Sequence, residues 1–576
     1  MSSSLSFALS KIVFSSGDMV SLDKGDLLVI VGPNNSGKSS SLREIVRATR
    51  GENIGPVIKE CEVEQTGSFE VMRKWFEDNT HQSKDGTCSW TKAAVSFQNE
   101  PQARVQWNQP ACTAPTFSKF FTALADTESR LSIVKPPASI AAGGKPSHPF
   151  HVLFNNLAQE SKVSEYFKRA FNTELVLQRL GNRIGFHCGA REEVGDTVQS
   201  LIDYLPTLPE LESQGDGMRS FAGTISSLVT SPGFIHLIDE PEAFLHPPQA
   251  RELGRIIAEV STADPSKQIV ISTHSGDFLR GLIESDPKRL KVARITRSTS
   301  NSNTGEVNRV KMLDVEQLKE LWGDPVLRFS NSLDAIFHEG CLISEYEADC
   351  QFYSAVAEAT VPIRNRRDLM YIGSGGKSGM KKLVKALVAL GVPTAIIADF
   401  DILNDVDPLK ELYRQLGGDW SSISDDWTSF NAEVISKKPA LTTSQVRAEI
   451  TAALNDETEA AISNETVKRI GDSLKSISPW SEPKRLGLGH FAGGTLSKAT
   501  GIVDQLAAIG LYAVPVGEME GFAREFQTGN CKGAKWVAKV LRGIPLLKTD
   551  PRLKDAREFV QKVNEGFMNG SSESIS

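Results

Sequence analysis

At 576 residues the chain has room for about three to five domains, and its 40% apolar and 23% charged residues are those of a folded protein rather than a disordered one. A net charge of −7 does not advertise nucleic-acid binding, although an acidic total can coexist with basic faces such as Arg364, Arg366 and Arg367, Lys377, Lys381 and Lys382, or Lys532, Lys535 and Lys539. Seven cysteines, odd in number and without a C-x-x-C pair, argue against a disulfide framework and a zinc ribbon.

Met1 to Ser10 lacks a basic segment followed by a long apolar stretch, and no apolar run approaches the length of a membrane span. A soluble, cytoplasmic protein without a membrane partner is expected.

Asp26 to Arg50 reads as strand, loop and helix. Leu27 to Val31 is an apolar buried strand, Gly32-Pro33-Asn34-Asn35-Ser36-Gly37-Lys38-Ser39 is a tight loop, and Ser39 to Thr49 has a helical pattern. This is the context of a phosphate-binding loop: glycines let backbone N–H groups turn inward, and the helix adds its positive end. Asn35, Ser36, Gly37, Lys38, Ser39 and Ser40 are the expected nucleotide contacts, with Lys38 on the β- and γ-phosphates and Ser39 on magnesium. ATP with Mg2+ is the expected cofactor.

A second apolar strand, Phe234 to Ile238, ends in Asp239-Glu240, so that one carboxylate faces magnesium and its neighbour the attacking water. Asp239 is the metal-binding candidate and Glu240 the general base. The run Glu240-Pro241-Glu242-Ala243-Phe244-Leu245-His246-Pro247 follows, and a further strand, Gln268 to Thr273, delivers His274 at its tip. Here the chain resembles the ABC-type ATPases, in the branch of SMC, Rad50, RecF-like and OLD (overcoming lysogenization defect) proteins. The resemblance implies that His274 senses the γ-phosphate. It also implies that Ser213-Gln214-Gly215-Asp216-Gly217 is the signature loop, with Ser213, Gly215 and Gly217 binding nucleotide held by an opposing subunit. The long interval before that loop is expected to hold an inserted, partly helical subdomain at about 60–203, part of which the resemblance makes a dimerisation element.

After Ser330 a second α/β unit is expected: strand Ala335 to Ile343, helix Glu347 to Thr360, strand Leu369 to Ile372, helix Gly379 to Leu390 and strand Thr394 to Ala398. Asp399 and Asp401, two apart in extended backbone, project to one side, as do Glu518 and Glu520 after the run Leu511 to Val516. Hard oxygen ligands converging on one edge can hold one or two magnesium or manganese ions. Glu345, the loop Gly373-Ser374-Gly375-Gly376 and Asp399-Phe400-Asp401 together resemble the TOPRIM domain of topoisomerases, primases and OLD-family nucleases. Asp349 fits the OLD version, and Gly517-Glu518-Met519-Glu520 is similar to its later acidic motif. The usual Glu-Gly is here Glu345-Tyr346; a register on Glu339-Gly340 restores the glycine but puts Ile343 where Asp349 supplies a carboxylate, so Glu345 is preferred. The resemblance further implies a late lysine that stabilises charge at the scissile phosphate, with Lys535 the choice and Lys532 the substitute.

A helical insertion is expected at about 405–499, with a polar helix-like stretch from Thr443 to Leu474, and a disordered tail at 569–576. The fold class is thus α/β: an ABC-type P-loop ATPase head over 1–330, then a TOPRIM parallel-sheet domain over 331–568. The resemblance to the OLD family implies an ATPase and metal-dependent DNA endonuclease, at least a homodimer, acting in anti-phage defence with a helicase or reverse-transcriptase partner. The alternative is an SMC- or RecF-like nucleotide-dependent scaffold with an inactive TOPRIM unit, which Tyr346 encourages.

Overall fold

A computed structural model describes residues 4–108, 115–141, 144–190, 198–299, 306–323, 332–436, 443–455, 462–475, 478–527 and 531–570. The chain divides into two compact units, Met1–Phe329 and Ser330–Ser576, both of the expected α/β class.

In the first unit six strands form one sheet, in the order Glu306–Leu313, Leu290–Thr299, Leu27–Val31, Gln268–Ser272, Ile235–Asp239 and Thr122–Ala125. The first pair is antiparallel and the others are parallel. Leu27–Val31 and Gln268–Ser272 are buried at every position, as the inner strands of a parallel sheet covered on both faces must be. Register sets the site: Ser272 lies opposite Ile30 on one side and Asp239 on the other. The loop after Val31, the tip of Ile235–Asp239 and the start of the His274 turn therefore leave the sheet along one edge.

The segment expected as an insertion at 60–203 is not set apart from this sheet. Its Thr122–Ala125 pairs with Ile235–Asp239, while Ile58–Thr66 pairs with Ser6–Phe14 in a separate three-stranded sheet. Phe76, Phe117, Phe120 and Phe121 share one apolar core with Leu28, Ile30, Leu237 and Val270 of the central strands. Thr122–Ala125 is a short strand that long-range pairing stabilises. The segment is partly helical as expected, with a helix over Leu157–Phe171 followed by a strand at Leu175–Leu177.

The second unit has four parallel strands in the order Leu369–Gly373, Gly340–Ser344, Thr394–Ala398 and Leu511–Ala513. The chain starts in the second position, steps outward, then crosses back to the third. The crossing leaves a crevice at the carboxyl ends of Gly340–Ser344 and Thr394–Ala398, where α/β sheets bind ligands. Ala335–Phe337, read as strand, lies in a 3-10 turn, Ser332–Phe337, and the strand begins at Gly340; a short apolar run fits either state. Asp399 and Asp401 are not in extended backbone: Asp399 caps the 3-10 turn Phe400–Asn404. Thr443 to Leu474 contains two helices, Thr443–Asn455 and Asn464–Lys475. Of the tail, Asn569 and Gly570 end the helix Lys554–Gly570, and 571–576 lie outside the described residues. Among the described residues no helix is long and apolar enough to cross a membrane.

Candidate nucleotide and carboxylate sites

In the first unit the loop after Val31 bends through left-handed backbone at Gly32, Asn35 and Gly37. At Gly37 a Cβ would stand 2.8 Å from the Asn308 amide nitrogen, so glycine is required by space as well as by φ. The helix Lys38–Thr49 follows at once. Lys38 is buried and its Nζ donates to the Gly32 and Pro33 carbonyls, 2.8 Å each. Burial lowers its pKa, and the charges of Glu240, Glu242 and Asp239 oppose the shift. Ser39 Oγ donates to Asp239 Oδ1 at 2.8 Å, and Ser272 Oγ donates to the same oxygen. Ser36 is buried, while Asn35 is exposed and Ser40 half-buried in the first helical turn.

Glu240 follows Asp239 with φ of +47°. Its carboxylate lies 3.2 Å from His274 Nδ1, and Glu242 Oε1 lies 3.4 Å from the same nitrogen. The hydrogen bond from His274 holds the Glu240 pKa down, and the same bond raises that of His274. Glu242 is buried, accepts from Thr273 Oγ1 at 2.7 Å and from the His274 amide at 3.1 Å, and is pushed up by burial. Lys38, Ser39, Asp239, Glu240 and His274 thus gather at one sheet edge. Ser213, Gly215 and Gly217 are held elsewhere: Ser213 Oγ donates to Glu210 O at 2.7 Å, Gly215 precedes the helix Asp216–Thr230, and Gly217 abuts the Phe244 carbonyl.

In the second unit Glu345, Asp399 and Asp401 each offer an oxygen, all within 4.8 Å of one another. Glu345 follows the strand Gly340–Ser344, and its carbonyl accepts from the Gly376 amide at 3.0 Å. Ser374 N also donates to Ser344 O at 2.9 Å, and Gly373 lies so close to the start of the next helix that a Cβ would stand 2.6 Å from the Glu347 nitrogen. Asp399 is pushed well above the usual carboxylate range by burial, then by Glu345, Asp401 and Asp349. Burial also raises Glu345. Asp401 is the opposite case: its pKa is lowered despite burial, because Lys377 Nζ donates to Oδ1 at 2.8 Å and Lys484 Nζ to Oδ2 at 2.7 Å.

The other acidic candidates hold backbone or lysine. Asp349 Oδ2 accepts from the Tyr346 amide at 2.9 Å, and burial pushes its pKa up to about 6. Glu520, buried, accepts from the Gly533 amide at 2.7 Å. Glu518 lies 2.6 Å from Lys532 Nζ and 3.7 Å from Lys484 Nζ, so Lys484 joins it to Asp401. Lys535 is exposed in the first turn of the helix Ala534–Gly543; the lysines that bond the site carboxylates are Lys377, Lys484 and Lys532. Lys484 was not legible in sequence, since it sits in the expected insertion. Its place is set by backbone pairing across that distance: Leu488 N donates to Pro515 O at 2.9 Å, and Phe400 N to Gly517 O at 2.8 Å. Arg130, buried behind Asp239 and Glu240, likewise has no motif to announce it.

Residues 108–280 match the family described as "AAA domain, putative AbiEii toxin, Type IV TA system", a span that takes in Asp239 and His274 but not the phosphate loop. The Old nuclease of Escherichia phage P2 is 26% identical over 176 residues, and the OLD nuclease of Thermus scotoductus 25% identical over 172. Over those segments the chain is similar to the OLD nucleases. Each match takes in 29% of the chain and only 28% and 30%, respectively, of the two OLD nucleases' own lengths. Among solved structures, the SMC head domain from Thermotoga maritima overlaps 54% of this chain and 100% of its own at a TM-score of 0.29 and 13% identity. A nucleotide-free ATP-binding cassette from an ABC transporter overlaps 56% and 98% at 0.25 and 15%.

Proposed function

We propose that the chain is an ATP-regulated, divalent-metal-dependent endonuclease acting on DNA, with nucleotide chemistry in the first unit and phosphodiester cleavage in the second. The observation that carries this reading is the convergence of Glu345, Asp399 and Asp401 within 4.8 Å at the crevice of a parallel sheet. The donor set suits Mg2+ or Mn2+: all its ligands are hard carboxylate oxygens, and Glu345 Oε1 is buried without a hydrogen-bond partner. Glu345, Asp399 and Asp401 would hold the ion, with Asp349, Glu518 and Glu520 around them. When bound, such an ion polarises a phosphodiester and offsets the charge that develops on it. Lys377 and Lys484 keep Asp401 ionised, and with Lys532 they supply positive charge where a scissile phosphate would lie.

In the first unit Lys38 would exchange the Gly32 and Pro33 carbonyls for phosphate oxygens. Ser39 and Asp239 would hold magnesium, and Glu240, ionised and bonded to His274, would take the proton of the attacking water. The signature-loop resemblance of Ser213, Gly215 and Gly217, at the start of the helix Asp216–Thr230, supports a homodimer in which they meet a partner's nucleotide. The kinship with the OLD nucleases supports a role in phage defence.

Supercoiled DNA incubated with Mg2+ or Mn2+ tests the reading, with an Asp399→Ala Asp401→Ala variant alongside and a slowly hydrolysed ATP analogue in parallel lanes. Nicking by the wild type and none by the variant is expected; nicking that persists in the variant removes the proposed chemistry. A second reading, a nucleotide-dependent scaffold with a silent second unit, draws on Lys377 and Lys484 occupying both oxygens of Asp401.

A further inference from the structure

Arg130 lies in the helix Thr127–Ile133, directly after the edge strand Thr122–Ala125, and is 0% exposed. A buried guanidinium is tolerated only where its donors find acceptors. Nη1 donates to Ala125 O at 2.9 Å and Asp239 O at 2.6 Å, Nη2 to Glu240 O at 3.0 Å and Thr127 Oγ1 at 3.3 Å, and Nε to Ser220 Oγ at 3.1 Å. One side chain therefore joins the edge-strand tip, the carbonyls of both site carboxylates and the helix Asp216–Thr230. That helix begins where the Ser213–Gly217 loop ends. At Gly223 it packs so closely on the Arg130 carbonyl that no Cβ fits.

Glu240 stands in the left-handed region, φ +47°, a conformation that a residue with a side chain keeps only when its surroundings impose it. Its amide donates to Ser272 O at 3.0 Å and its carbonyl accepts from Arg130. Both ends of the residue are pinned, and in that setting the carboxylate meets His274.

We propose that Arg130 is a positioning residue for Glu240: it fixes the backbone that carries the proton-accepting carboxylate and ties it, through Ser220, to the helix behind the Ser213–Gly217 loop. The inference rests on the reading of this unit as an ATP-hydrolysing site. Arg130 bonds none of the phosphate-loop residues, so its loss acts on turnover and leaves nucleotide binding to Lys38 and the loop amides.

The test is steady-state ATPase and binding of a fluorescent ATP analogue on the full chain: wild type, Glu240→Gln, Arg130→Lys and Ser220→Ala. Lysine keeps the charge but lacks the planar fork that spans three carbonyls and two hydroxyls. Arg130→Lys is expected to lower kcat about a hundredfold with KM and nucleotide affinity within about threefold of wild type. Ser220→Ala, which removes one neutral hydrogen bond, is expected to lower kcat about threefold at unchanged affinity and melting temperature; it decides the matter where Arg130→Lys does not fold. Wild-type turnover in Ser220→Ala and in any folded Arg130→Lys overturns the inference, as does a parallel fall of turnover and binding. Equal turnover by wild type and Glu240→Gln overturns the underlying ATPase reading and the inference with it.

Discussion

Lys38 and Asp399 both sit beyond the tip of a parallel strand, and the chain treats their buried charge in opposite ways. Around Lys38 the partners come from the chain itself: two loop carbonyls for the ammonium, Ser39 and Ser272 for Asp239, His274 for Glu240, five acceptors for Arg130. Only Glu242 in that group is pushed up by burial, with Oε2 unpartnered. Around Asp399 the neighbours are other acids, burial raises Asp399, Glu345 and Asp349 together, and two lysines are spent on Asp401. The first arrangement is complete until a ligand exchanges partners within it. The second is short of positive charge, and a divalent ion would supply it at the cost of releasing protons.

The comparison breaks first at the carboxylates. Asp399→Asn keeps the shape and removes the charge, so divalent-dependent cleavage is expected to fall by about two to three orders of magnitude. The same variant should leave the metal-free melting temperature unchanged or higher, because a buried like-charge group is gone. Cleavage near wild type in Asp399→Asn would show that the cluster is not the reaction centre. In the other unit, Lys38→Ala is expected to weaken ATP binding about a hundredfold, the scale of a lost charge-assisted contact to phosphate, as read by calorimetry. Undiminished affinity would sink the phosphate-loop assignment.

Legibility in the sequence follows the reach of the interactions. Helix Glu347–Thr360 and strand Thr394–Ala398 are read to the residue, because apolar periodicity and caps are local. The phosphate loop is equally local: glycine spacing and a lysine at a helix start state their own chemistry. Thr122–Ala125, four residues long, is a strand only because Ile235–Asp239 lies beside it, and the turn Phe400–Asn404 that follows Asp399 is tied at its start to Gly517 O, far along the chain, through Phe400 N. Arg130 and Lys484 escaped for the same reason, since their partners lie 109 and 83 residues away. Periodicity carries no information about such distances.

pH separates the units next. Asp349 is raised to about 6 by burial, so the stability of its protonated form is full below the unfolded value near 3.8 and is lost as pH rises through about 6. The cost is on the order of 3 kcal/mol, seen as a falling melting temperature of the second unit between pH 4 and 7 without divalent ions. Asp349→Asn should flatten that fall, and Mg2+ or Mn2+ should oppose it by binding the deprotonated cluster. In the first unit His274 is raised and Glu240 lowered by their mutual bond. The histidine's contribution is full below its unfolded value near 6.5 and disappears as pH rises through its folded pKa, and no divalent ion restores it. A metal response of equal size in both transitions would erase the contrast.

The smallest expected effect lies at Lys484, whose ammonium sits 2.7 Å from Asp401 and 3.7 Å from Glu518. A cation already at that position competes with an incoming one, and part of the divalent ion's binding energy goes into overcoming its repulsion. Lys484→Met keeps the aliphatic stem and removes the charge. Divalent affinity measured by calorimetry is then expected to rise by about threefold to tenfold, the range of one partly exposed charge pair, while cleavage falls because a positive group beside the phosphate is gone. Affinity and activity moving apart is the informative result: a fall in both would make Lys484 a support for the metal ligands, and no change in either would mean that Lys377 alone governs Asp401.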